Sequence, residues 1–167
     1  AGVVPNAAYR HFRNRHALLL AVREAALAAA AVAMEKELAV PIYGASAADF
    51  ARAQIRAIGT AYLRFAQAES GLFRTAFPIS DEGSGELGPG KAGTSGLDSF
   101  QLLSKAIERL VDTDALDPVR RANAEYLAWS AVHGLALLTI DGPLRGMDST
   151  AFPGLGQQLL DMVERGP

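Results

Sequence analysis

Between Asn6 and Arg15 the chain reads Asn-Ala-Ala-Tyr-Arg-His-Phe-Arg-Asn-Arg. These residue types suit contact with nucleic acid. Asn6 can bond the adenine edge with two hydrogen bonds, and the Ala7 methyl can meet the thymine methyl. Tyr9, Arg10 and His11 can bond phosphate oxygens, and the start of a helix adds backbone N–H groups and a favourable dipole. Residues 1–23 hold four arginines and no acid, while the remainder holds 12 basic and 18 acidic side chains. A basic segment at one end of an otherwise acidic chain points to a polyanionic partner. The plain alternative is a helical hairpin with a solvated basic face.

The elements that must position these residues read as helices. Pro5 suits the first position of a short helix over about 5–12. Asn14 can cap a second, alanine-rich helix reaching about Leu38, with Pro41 beyond it. Ser46-Ala-Ala-Asp49 has the form of a capping box, and Ile55, Ile58, Tyr62 and Phe65 then fall on one stripe. Gly71 interrupts this helix, and a short segment runs from Leu72 to Phe77. The span 83–96 carries six glycines and reads as a flexible loop. Phe100, Leu103, Ile107 and Leu110 mark another helix. Asp117-Pro118 reads as the start of a long helix ending near Ile140, before Asp141-Gly142-Pro143. A last helix covers about 155–164, with Leu155, Leu159, Met162 and Val163 turned inward. The expected class is all-α.

Several chemistries are excluded. With no cysteine, disulfides and thiolate metal sites cannot form. The glycine-rich span lacks Gly-Lys-Ser/Thr and follows no strand, so it is not a phosphate loop. No Gly-x-Ser-x-Gly, no His-Glu-x-x-His and no Glu-Glu pair on one helix face is read as a catalytic set, so no catalytic set, metal or cofactor is expected. The longest uncharged apolar run, Leu127–Ile140, is shorter than the ~20 residues that span a bilayer. A cytoplasmic protein without membrane contact is the expectation.

The run Ala1-Gly-Val-Val-Pro-Asn-Ala-Ala-Tyr9-Arg-His11-Phe12, followed by Asn14-Arg15 and Ala17-Leu-Leu19, resembles the second half of the DNA-binding domain of TetR/AcrR-type transcriptional regulators. The resemblance implies that Tyr9, His11 and Arg15 touch DNA phosphates while Asn6, Ala7 and Arg10 face bases. Val4 stands where that family has Ser or Thr, which removes a helix cap typically worth about 1 kcal/mol. His16 stands where it has an acid. The two helices that precede this run in the family are missing from the sequence, so the chain as it stands is expected to bind DNA poorly. Trp129-Ser-Ala-Val-His133-Gly134 is similar to the Trp-x-x-x-His-Gly signature of one subgroup. The implied organisation is a remnant helix-turn-helix head over 1–20 and a helical-bundle regulatory domain over 21–167.

That family's body binds a small molecule and dimerises. Here a pocket would draw on Ile58, Tyr62, Phe65, Phe73, Phe77, Phe100, Leu103, Tyr126 and Trp129, with His133 as a polar anchor, since ligand sites combine apolar walls with few polar groups. For each of these the alternative is plain core. His133 reads as a core or interface histidine, or as a ligand-contacting or pH-sensitive group. A helix apolar all round must be buried on more than one side. A homodimer through the helices at about 118–140 and 155–164 accounts for that. The expected function is a ligand-responsive regulator, a repressor released from operator DNA by a small, mostly apolar effector. The alternative is a helical small-molecule-binding or dimerisation module without DNA binding.

Overall fold

The computed structural model describes residues 12–78, 86–148 and 150–165. Among them all regular structure is helical, as the sequence predicts. Helix α1 spans Arg15–Leu38, α2 Ala47–Ala68, α3 Ser70–Ala76, α4 Ser99–Asp112, α5 Ala124–Ile140 and α6 Phe152–Arg165. Asn14 caps α1, its side chain accepting from the Ala17 N–H at 2.8 Å. The buried side of α1 is Ala26, Ala30, Ala31 and Met34. By length and composition α1 could cross a membrane. Here it packs against α2, α3 and α4 and runs unbroken past position 20.

Helix α2 is the central element and touches each of the other five helices. The expected stripe is buried, from Ile55 and Ile58 through Tyr62 to Phe65. Ser46 caps α2 by accepting from the Asp49 N–H, but the return bond runs from the Ser46 hydroxyl to the Asp49 carboxylate. A full capping box forms instead at α4, between Asp98 and Gln101. The break after α2 falls at Glu69, and Gly71 lies inside the first turn of α3.

Three expectations need correction. Asp117 does accept from the Val119 N–H, yet Pro118–Arg121 winds as a 3-10 turn. Asn123 then takes a left-handed conformation at φ 62, so the long helix starts at Ala124. The helix expected from about 118 to 140 is thus shorter by its first turn and a half. On α6, Leu155 and Leu159 pack against the core as expected, but Leu160 is the more deeply buried side chain and Met162 is 57 % exposed. The described part of the glycine-rich loop, residues 86–96, is not a loose linker: its backbone is hydrogen-bonded to acidic side chains of α1.

Glycines let α6 lie close on α2. A Cβ on Gly59 would stand 2.2 Å from Leu160 Cδ2, and one on Gly156 would stand 3.3 Å from Leu63 Cδ1. Arg56 of α2 pairs with both Asp161, at 2.6 Å, and Glu164 on α6. The Gly59→Ala substitution should therefore overpack the seam. Urea unfolding should show a loss of about 1–3 kcal/mol, the usual range for an extra methyl in a filled core.

Candidate functional site

The head-side candidates Asn6, Ala7, Tyr9, Arg10 and His11 lie outside the described residues. Arg15 is described, and it stands exposed in the first turn of α1 beside His16, with no acid in that turn. A helix N-terminus carries partial positive charge and normally attracts acids. An arginine there adds to the local positive potential.

The body-side candidates converge on Tyr62. Its ring is 1 % exposed and touches Phe73, Phe77, Trp129 and His133, with centroids 5.0–6.3 Å away. The Tyr62 hydroxyl and His133 Nδ1 are 2.7 Å apart. Burial pushes the Tyr62 phenol up and the His133 imidazole down, so both are neutral near pH 7. The phenol then donates to Nδ1, because the opposite tautomer would leave its own proton without an acceptor. From Trp129 the aromatic contacts continue through Phe100, at 5.9 Å, to Tyr126, which is 64 % exposed.

A cavity of about 20 Å³ adjoins this cluster. Of the expected residues, Ile58, Tyr62, Leu103 and Trp129 line it. Phe73, Phe77 and His133 meet Tyr62 without joining the lining, and Phe100 and Tyr126 lead toward the surface. Phe65 is buried core. Sequence reasoning missed Met34, Ile55, Gly59, Ala128, Val132, Leu160 and Val163 in the lining. Met34 carried a signal, as the one large residue on an alanine face. The others depend on which helices come together. The cavity has room for about one water, well below the several hundred Å³ of a typical ligand site. Anything larger must move a wall.

His133 gives the body a pH dependence. Its folded value lies below the ordinary 6.5 because burial disfavours the cation. Below that ordinary value the unfolded chain binds a proton that the folded chain does not, so stability falls as pH drops through it. The substitution His133→Gln keeps an acceptor for the Tyr62 hydroxyl and removes the titration. Melting temperatures followed down from neutral pH should decline less steeply in the variant than in the parent.

Residues 55–162 match the family described as the tetracyclin repressor-like, C-terminal domain. No curated protein matches the chain. Among solved structures, one described as a protein with unknown function from Rhodococcus sp. RHA1 aligns with a TM-score of 0.74 at 24 % identity, over 99 % of this chain and 79 % of that one. At that identity the likeness is one of fold. The family match begins within the buried stripe of α2 and ends in α6, so it takes in the Tyr62–His133 pair and most of the cavity wall. The chain belongs to the tetracyclin repressor-like family of regulators.

Proposed function

We propose that this chain is the regulatory body, with the end of the DNA-binding head, of a dimeric transcriptional repressor that a small, mostly apolar effector releases from operator DNA. The family match over residues 55–162 carries this reading. The basic run that resembles half of a helix-turn-helix head, and that leads directly into α1, supports it. Residues 1–20 are then the head's remnant and 21–167 the body, with α1 joining them.

The outward face of α5 supports a homodimer. Tyr126, Leu127 and Leu138 are exposed on it, and a Cβ on Gly134 would meet nothing within 4 Å. No Asp, Glu, Lys or Arg occurs from Tyr126 to Ile140. An uncharged face with bulky residues around a glycine is self-complementary across a two-fold axis. Met162 on α6 is a further exposed apolar side chain. The small size of the cavity supports a link between effector and head. Its walls come from α1, α2, α4, α5 and α6, and α1 contributes Met34 alone. An effector that enters must displace side chains, and displacing Met34 shifts the helix that joins the head. Binding then favours a head spacing that no longer fits half-sites about 34–36 Å apart.

The full-length protein should bind a fragment of its own promoter with an affinity that falls steeply as salt rises. Absence of any salt-dependent binding would leave the reading of a ligand-binding or dimerisation module without DNA contact. For the dimer, Leu127→Glu would bury an unpaired charge at the seam. Sedimentation should show self-association weakened by roughly tenfold or more.

A further inference from the structure

Two glutamates on α1 hold the backbone of the glycine-rich segment. Glu24 accepts from the Gly88 N–H. Glu35 accepts from the Thr94 N–H at 2.9 Å, from the Ser95 N–H at 2.9 Å and from the Ser95 hydroxyl at 2.6 Å. The two acids are about three helical turns apart and so share one side of α1. The glycines make room for them. A Cβ on Gly90 would stand 2.6 Å from Glu24 Oε2, and one on Gly93 would stand 2.5 Å from Glu35 Oε1. Burial alone would raise the Glu35 carboxyl, yet the bonds from Ser95 and Thr94 outweigh it and hold the group below its ordinary value, so it is ionised at neutral pH.

The far end of the segment is tied to α4. Lys91 pairs at 3.0 Å with Asp98, which also forms the capping box of that helix. The segment is thus a continuous polar bridge from α1 to the start of α4. Against the bundle itself, α1 presents mostly alanines, with Met34 buried, Leu38 partly buried at its end and Arg23 donating to the Ala76 carbonyl. Alanines offer shallow ridges, and shallow ridges fix a helix's position weakly along its axis.

We propose that residues 86–98 form a latch that sets where α1 sits on the body, so that α1 moves only when Glu24 and Glu35 leave their backbone N–H groups. The bearing of this latch on DNA release rests on the function proposed above, whereas the position of α1 can be measured without DNA. The chain has no cysteine, so nitroxide labels can be placed at Val22→Cys on α1, 43 % exposed, and at Lys105→Cys on α4, also exposed. Labelled chain diluted with unlabelled chain gives the distance within one chain by pulsed electron resonance. The parent should show one narrow distance. Glu35→Gln turns one acceptor into an NH2 that faces an N–H donor, and Gly93→Ala drives a methyl into the Glu35 carboxylate. Both should add a population shifted by roughly 1.5 Å or more, one residue's rise. Glu37→Gln, which breaks the exposed pair between α1 and Arg64 of α2, should leave the parent's distribution. If both latch variants keep the parent's distance, or if Glu37→Gln shifts it as far, the latch is overturned. Should Gly93→Ala lose its helical circular dichroism, Glu24→Gln takes its place with the same two outcomes.

Discussion

A phenol almost without access to water has to find its hydrogen-bond partner inside the protein. Tyr62 stands at the middle of α2, which touches each of the other described helices, and its partner is His133 on α5. That bond fixes the rotation of α5. With His133 turned toward α2, Trp129 one turn earlier lies against the Tyr62 ring at 5.0 Å. The side of α5 bearing Leu127 and Leu138 is then left facing outward. Apolar side chains alone could fill the same space in several rotations. The Tyr62–His133 pair favours one, because any other leaves the buried Tyr62 donor unmatched.

The cavity walls differ in how firmly they are held. On one side α6 is set by the close approach at Gly59 and by the two carboxylates on Arg56. On another side α1 touches the body mainly through alanines, Met34 and Leu38, and its polar bonds run to residues 86–98, to the Ala76 carbonyl of α3 through Arg23, and to Arg64 of α2 through Glu37. Packing of interlocking side chains resists displacement in every direction. A smooth face with polar ties at its margin resists only while the ties hold. The bundle therefore joins α5 and α6, set on α2 by close packing, to α1, whose packing on α2, α3 and α4 is supplemented by hydrogen bonds at its margin. Helix α3 is tied to both sides: Arg74 binds the Asp141 carboxylate at the end of α5 with bonds of 2.8–3.0 Å, and Arg23 of α1 donates to the Ala76 carbonyl at 3.1 Å.

The sequence made the helices legible wherever an end is determined locally. Asn14 and Ser46 cap as their side chains suggest, and Pro41 and Asp141-Gly142-Pro143 lie beyond helix ends. The Asp117-Pro118 signal is also real, since Asp117 caps the turn it opens. What it could not convey is that Asn123 would adopt a left-handed conformation and restart the winding. The aromatic cluster was legible because Tyr62, Trp129 and His133 lie on strongly apolar helices at helical spacing. Ile55, Gly59 and Val132 were not, because their place in a cavity wall is decided by how separate helices meet. The glycine-rich segment misled for a related reason: composition reports the freedom of an isolated chain, and here the neighbouring carboxylates remove it.

Those glycines also differ among themselves. Gly96 has φ at +79, so its own backbone favours glycine there. Gly90 and Gly93 owe their identity to side chains more than fifty residues away, because Glu24 and Glu35 occupy the space a Cβ would take. Which residues positions 90 and 93 tolerate is therefore written at positions 24 and 35. A larger residue in the loop and a shorter one on α1 can arise together and keep the backbone as it is, where the first alone would force the two apart. The loop and the helix thus form a single unit of substitution.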